Sequence, residues 1–327
     1  MTSPSLGKVA DTGSGNSGPS LQQQRARAAF WFLAPMLAAL FAVAAWPLLR
    51  TIWFSLTNTS LDDLYGGHFV GFYNYFHIQT LASGETRFKG ALFDPSWWNA
   101  VWNTVRFAFL SVVFETMLGM AVALMLNANF KGRGFVRAAI LVPWAIPTIV
   151  SAKMWAWMLN DQYGVINDIL VNLHLIDHKI AWTSTPDTAM IAVLVVDIWK
   201  TTPFMALLIL AGLQTVPQDI YEAAKIDGVH PVKVFWKITL PLIRPAVMVA
   251  VIFRMLDALR IFDLVYVLTP NSSATKTMSV ISRENMIDFA KFAYGATQST
   301  MLFAILAIFV GLYIWLGKVN LTGEGGR

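Results

Sequence analysis

Cysteine is absent from the 327 residues, which removes disulfides, thiol nucleophiles and thiolate metal sites from consideration. Charge is also scarce. Asp, Glu, Lys and Arg make up only 13% of the chain, while apolar residues make up 56%. A soluble domain carries about 25% charged residues to cover its surface. A chain this poor in charge cannot cover itself in water, which excludes a disordered chain, a cytosolic enzyme and a secreted disulfide scaffold. Its mean hydropathy of +0.55 makes lipid its principal solvent. The five histidines stand in expected loops without ligand spacing, so no metal site is expected.

What is abundant is long apolar runs. A bilayer core about 30 Å thick needs about 20 apolar residues per crossing helix. Stretches meeting that length are Ala28–Leu49, Val101–Leu126, Ala138–Leu159, Ala189–Leu213, Ala246–Leu268 and Ala296–Leu316. Helices are required because lipid satisfies no open backbone group, and no barrel-like alternation occurs. The expected fold is therefore all-α: a polytopic membrane protein with six transmembrane helices. Ala42-Val43-Ala44 looks like a signal-peptide cleavage site, but the apolar run continues past it and further spans follow, so a retained span is expected. Residues 1–27, rich in Gly, Ser and Gln, are expected to be a flexible cytoplasmic tail. Residues 28–319 form the transmembrane domain, and 320–327 a second cytoplasmic tail.

Basic residues set the orientation. The loop 127–137 carries Lys131, Arg133 and Arg137 and no acid, and the loop after the fourth span carries Lys225, Lys233, Lys237 and Arg244. Both termini are expected on that cytoplasmic side. The loops 57–96 and 160–187, each with several acids, then face outward.

Residues 217–245 read PQDIYEAAKIDGVHPVKVFWKITLPLIRP. Asp219 can cap a helix with Glu222 in the reciprocal position. Gly228 fits a left-handed helix stop, and Pro231 can open a second short helix, with Pro241 and Pro245 ending the segment at the start of the fifth span. The product is a helix–turn–helix elbow at the membrane surface. Its spacing, Glu222-Ala223-Ala224, then Gly228, then Ile238-x-Leu240-Pro241, resembles the EAA loop of bacterial ABC importer permeases. Further matching pieces are Asn103-Thr104, Leu141 to Pro147, Gly164-x-Ile166-Asn167, Trp199 with Pro203-Phe204, Ala211 to Gln214, and Phe262-Asp263. Together they resemble the carbohydrate-uptake, maltose-type branch. Val229 stands where that family often has Ala. Leu268 to Ser273 lacks the family's Gly-Gly-Pro turn, with Thr275 or Thr277 available for the threonine that comes after it.

That resemblance implies a type I importer permease in a bacterial inner membrane and a multi-part machine. Its other parts would be a second homologous permease subunit, two ABC ATPase subunits and an extracytoplasmic sugar-binding protein. No nucleic-acid partner is expected. It also implies that Glu222, Ala223, Ala224, Asp227 and Gly228 couple to the ATPase, and that the sugar pathway runs past Lys200, Thr201, Phe204, Arg254, Asp257, Ala258 and Ile261. No cofactor is expected in this chain, ATP-Mg being bound by the partner subunits. Gly311 to Lys318 has the wrong spacing for a phosphate loop and lies in a span, so no enzyme activity is expected.

The residues themselves support a related reading. Ionisable groups at mid-span are costly and need a reason. The fifth span holds Arg254, Asp257, Arg260 and Asp263, with alternating sign at three-residue spacing, and the fourth holds Asp197 and Lys200. They read either as the wall of a polar cavity or as structural ion pairs. Arg106, Glu115 and Lys153 receive no role. The alternative function is an ion-coupled secondary transporter using buried Asp/Arg pairs. Disaccharides are the first expectation for the cargo, with polyols, modified sugars and an anionic ligand left open.

Overall fold

The structure, a computed structural model, describes residues 21–80 and 84–317. The expected tail 320–327 and most of the expected tail 1–27 lie outside those residues. The chain divides into two units, the first ending at Arg50 and the second covering Thr51–Arg327.

In the first unit α1 (Leu21–Leu40) leads through a widened turn at Phe41–Ala45 into α2 (Trp46–Ser55), whose last residues belong to the second unit. The helix thus begins ahead of Ala28, and the apolar stretch extends over Gln24–Ser55. The widened turn has a cause. Pro47 has no N–H for the carbonyl four residues back and its ring would crowd that carbonyl. The helix accommodates this by a longer bond, Trp46 N–H to the Phe41 carbonyl.

The second unit opens with an irregular segment that carries an antiparallel hairpin of β1 (His77–Thr80) and β2 (Thr86–Lys89), with His77 opposite Lys89. This hairpin is the one strand pairing of any length among the described residues. The later helices are α3 (Pro95–Asn127), α4 (Arg133–Ala145), α5 (Thr148–Met158), α6 (Val165–Asn172), α7 (Pro186–Leu213), α8 (Gln218–Ile226), α9 (Pro231–Val234), α10 (Leu240–Leu259), α11 (Asp263–Leu268), α12 (Met278–Arg283) and α13 (Phe292–Gly317).

Five helical stretches are long and apolar enough to cross a membrane, or six if the bent pair α4/α5 counts as one. That pair corrects the expected straight span Ala138–Leu159: the two helices meet at 89°. Pro147 forces Ile146 out of the helical region, to φ −72° and ψ 131°. The expected span Ala246–Leu268 is corrected too. The helix stops at Leu259, with Arg260 and Phe262 outside helical geometry. The backbone carbonyls this frees are caught by side chains: Ser279 Oγ donates to Arg260 O at 3.2 Å and Thr277 Oγ1 to Ile261 O at 3.1 Å. Irregular backbone at membrane depth needs such partners.

The core is built on α3 and α7, the most extensive helix pair, with α10 against both. Phe107 and Val112 of α3 pack with Val193 and Val196 of α7 and with Ala258 and Leu259 of α10. Toward the other end Leu126, Ile209, Leu213 and Ile243 form a second cluster, against which Ile220 and Tyr221 of α8 rest. Several of the family-like pieces of sequence are staples. Asn103 Nδ2 donates to the carbonyls of Ser273 and Lys276 at 3.0 and 3.1 Å, and Thr104 Oγ1 accepts from Met278 N at 2.9 Å. Asn167, fully buried, donates to Asn160 O and Ile180 O and accepts from Ile180 N and Trp182 Nε1.

Small residues permit the close approaches. A Cβ on Gly212 would lie 2.5 Å from Ala246 Cβ across the α7–α10 contact. Gly212→Val is therefore expected to force the helices apart at a cost of about 1–3 kcal/mol. It should appear as a lower Tm of the solubilised protein than Gly311→Val, whose site is open. Equal Tm values would contradict the close approach.

Candidate functional site

Two features stand out: a polar cavity between α7 and α10, and the elbow ahead of α9.

The cavity has a volume of about 270 Å³. From α7 come Asp197, Lys200 and Thr201, from α10 Arg254 and Asp257, from the break after α10 Arg260, Ile261 and Phe262, and from the start of α11 Asp263. The bend between α4 and α5 contributes Trp144 and Thr148. Both interruptions that the hydropathy pattern does not reveal thus open onto this space.

The wall is backed by a charge cluster that Asp197, Arg254 and Asp257 share with Glu115. Arg254 is 2% exposed and Glu115 of α3 is fully buried. Arg254 Nε donates to Glu115 Oε2 at 2.5 Å and Nη2 to Glu115 Oε1 at 2.9 Å, and Nη2 also pairs with Asp197. Nη1 reaches Asp257 Oδ2 at 3.1 Å. Ser111 Oγ stands within donating distance of Glu115 Oε1 at 2.7 Å and Asp197 Oδ2 at 2.6 Å. Thr201 Oγ1 lies 2.5 Å from Glu115 Oε1 and 2.7 Å from Asp197 O. Three helices are joined through one guanidinium, whose planar fork suits several carboxylates at once.

The expected pathway residues divide accordingly. Lys200, Thr201, Arg254, Asp257 and Ile261 line the cavity. Lys200 is mostly buried, with no ion-pair or hydrogen-bond partner for Nζ among the described residues. Asp257 is open, its side chain 61% exposed. Phe204 stacks on Trp144, with ring centroids 5.8 Å apart and planes at 14°, so it backs the wall. Ala258 does not face the cavity: it is fully buried in the core with Val196 and Leu259. Both readings of the charged positions apply, to different residues. Arg254 is committed to structural pairs, while Asp257 and Lys200 face open space. Glu115, Ser111 and Trp144 join the site without having been singled out. The signal for Glu115 was its position, since a carboxylate in mid-span calls for a buried cation.

The elbow takes the expected shape with two corrections. Pro217, not Asp219, precedes the first turn of α8, and no side chain caps it. The second helix does not stop at Pro241: α9 continues through a widened turn at Phe235–Thr239 into α10, giving one helical stretch over Pro231–Leu259. That turn again immediately precedes a proline, and Leu240 N–H reaches back to Phe235 O. Gly228 has φ +66°, the left-handed stop, with Val229 N donating to Ala224 O at 3.0 Å. His230 caps the second helix, Nδ1 accepting from Val232 N at 3.3 Å. Of the five expected coupling residues, Glu222, Ala223, Asp227 and Gly228 are exposed, while Ala224 is buried. Ile226, Val232 and Trp236 stand exposed beside them, an apolar surface on a short protruding element.

Residues 115–318 match the family described as binding-protein-dependent transport system inner membrane component. The chain belongs to that family. It is 38% identical, over 91% of its length and 96% of the relative's, to the trehalose/maltose transport system permease protein MalF of Thermococcus litoralis. It is 35% identical to the sulfoquinovosyl glycerol transport system permease protein SmoG of Agrobacterium fabrum, over 86% and 87% of the two chains. With the trehalose transport system permease protein SugA of Mycobacterium tuberculosis it shares 36% identity over 89% and 88%. Its fold is similar to a chain of a bacterial ABC transporter involved in the import of the acidic polysaccharide alginate. There the TM-score is 0.74 at 19% identity, covering 91% of this chain and 98% of that one. The chain is thus an inner-membrane permease of the ABC importer fold.

Removing one partner from a buried charge pair leaves the others uncompensated, at a cost of about 3–5 kcal/mol. Arg254→Ala would strand Glu115 and Asp197 against each other and should lower the Tm of the solubilised protein strongly. Arg260→Ala, at a largely exposed side chain, should leave it unchanged. Similar small shifts for both would refute the central role of Arg254.

Proposed function

We propose that this permease is one of two homologous membrane subunits of an ATP-driven, binding-protein-dependent sugar importer. It forms half of the translocation pathway and makes no covalent change in its cargo. ATP and Mg²⁺ belong to two partner ATPase subunits, which grip the elbow through Glu222, Ala223, Asp227 and Gly228. The observation that carries this reading is the unbroken helical stretch from Pro231 to Leu259. At 1.5 Å per residue it is a rod of about 43 Å, with the exposed elbow at one end and Asp257 at the other. A push on the elbow crosses only the tight turn at Asp227–His230 before it enters a rod that runs to the cavity wall.

The cavity suits a polyhydroxylated ligand. Asp257 accepts from hydroxyls, Lys200 and Thr201 donate, and Trp144 offers an apolar face for a sugar ring. The relatives named for trehalose and maltose support a sugar as the cargo. The basic loops support an orientation with the elbow and both termini in the cytoplasm and the β1–β2 hairpin outside.

Two measurements test this. Because the chain has no cysteine, single substitutions give labelling without background. Gly134→Cys should react with an impermeant maleimide only in inverted vesicles and Glu85→Cys only in right-side-out cells; the opposite pattern would reverse the orientation. Uptake into vesicles holding the full assembly should require ATP and the binding protein and should survive collapse of the proton gradient. Gly228→Leu, forced into a conformation costing about 1–2 kcal/mol, and Glu222→Arg should each abolish most uptake while the permease remains in the membrane. Uptake driven by the proton gradient alone would favour an ion-coupled transporter instead.

A further inference from the structure

The cavity carries cations, so an anionic cargo is the obvious suggestion; the hydrogen bonds argue otherwise. Arg254 has five N–H donors. Nε is spent on Glu115, Nη2 on Glu115, Asp197 and Ser111, and Nη1 reaches Asp257. The guanidinium reaches the cavity wall with its donors already committed, and only one Nη1 N–H is left to offer a ligand. The remaining charged side chains of the wall are Lys200 and Arg260 against Asp197, Asp257 and Asp263. Glu115 stands behind them and cancels Arg254. An anion entering this space meets an excess of carboxylate, and a partner that rejects by like charge is a specificity device. Hydroxyl groups meet both donors and acceptors.

We propose that Glu115 is the specificity-determining positioning residue of the cavity. By holding the Arg254 guanidinium against α3 it withdraws that cation from the ligand, and the cavity selects an uncharged polyhydroxylated ligand over an anionic one. Glu115 touches no ligand itself; it acts through Arg254 and through Thr201, whose hydroxyl it also fixes. The inference rests on the cavity lying on the translocation pathway and narrows the class of cargo.

The test uses the assembled transporter in nanodiscs without the binding protein, so that only the membrane cavity discriminates. Trehalose and trehalose 6-phosphate are titrated in turn by calorimetry. Native assemblies should bind trehalose at least about tenfold more tightly than its phosphate. Glu115→Gln frees Arg254 and should close that ratio by about tenfold, chiefly by gaining affinity for the phosphate. Glu115→Asp keeps the carboxylate and should restore most of the native ratio, which a loss of mere packing would not. Native assemblies that bind the phosphate as tightly as trehalose, or that bind neither, would overturn the proposal. So would Glu115→Gln assemblies with an unchanged ratio.

Should Glu115→Gln fail to assemble, the double variant Glu115→Gln with Arg254→Met removes the Glu115–Arg254 pair together, a swap that proteins often tolerate, and leaves Asp197 hydrogen-bonded to Ser111. It should keep the preference for trehalose, because Arg254 makes no contact with the ligand. A preference reversed toward the phosphate, or a tenfold loss of trehalose affinity, would overturn the proposal. ATP-independent uptake would sink the importer reading and leave the ratio standing. A ratio near one beside ATP-driven uptake would sink this inference alone.

Discussion

One guanidinium organises the membrane part of this protein. Arg254 sits among carboxylates from α3 and α7 and one from its own helix, and no arrangement of those helices that separates them leaves its charge or theirs compensated. In hydrocarbon an unpaired ion of this kind is costly. The cluster therefore fixes the rotation of α10 about its axis and its height against α3 and α7, which apolar side chains alone specify loosely because lipid is as apolar as they are. Ser111 and Thr201 complete the shell by hydrogen-bonding the same carboxylates.

That anchor has effects in both directions along the helix. Toward one end α10 stops, and the irregular backbone at Arg260 to Phe262 turns into the cavity, held by Ser279 and Thr277. Toward the other end the same helix runs to His230 and the elbow. Stiffness lies in the helix, and the freedom to be gripped lies in the exposed residues of α8 and its turn. The loop after α11 is tied down separately. Thr269 and Thr275 share a buried hydroxyl contact at 2.8 Å, and Asn103 holds Ser273 and Lys276 from α3.

Much of this was legible in the residues. Long apolar runs announced the helices, and the positions of Gly228 and Pro231 announced the elbow, because each is tied to a backbone geometry that few residues serve. The features that stayed hidden depended on groups far apart in the chain. Hydropathy sees Ala138–Leu159 as continuous because Pro143 and Pro147 are themselves apolar; only Pro147 breaks the helix, while Pro143 is accommodated within α4. The stop after Leu259 has no proline or glycine to mark it and is sustained by hydroxyls some twenty residues away. Glu115 and Arg254, separated by 139 positions, could be suspected of needing partners but not matched to each other. Ala258 shows the converse: a position taken from a resemblance turns its side chain into the core.

The two widened turns, each one residue ahead of a proline, have a consequence for length. Every residue of a helix advances the azimuth by about 100°, and a turn that absorbs one extra residue resets the angular phase between the helical segments on its two sides. Between Phe235 and Thr239 that phase relates the face carrying Val232 and Trp236 to the face carrying Arg254. Shortening the stretch by a single residue would leave the guanidinium seated while swinging the elbow's apolar side around the helix axis, so the count of residues there is as constrained as their chemistry.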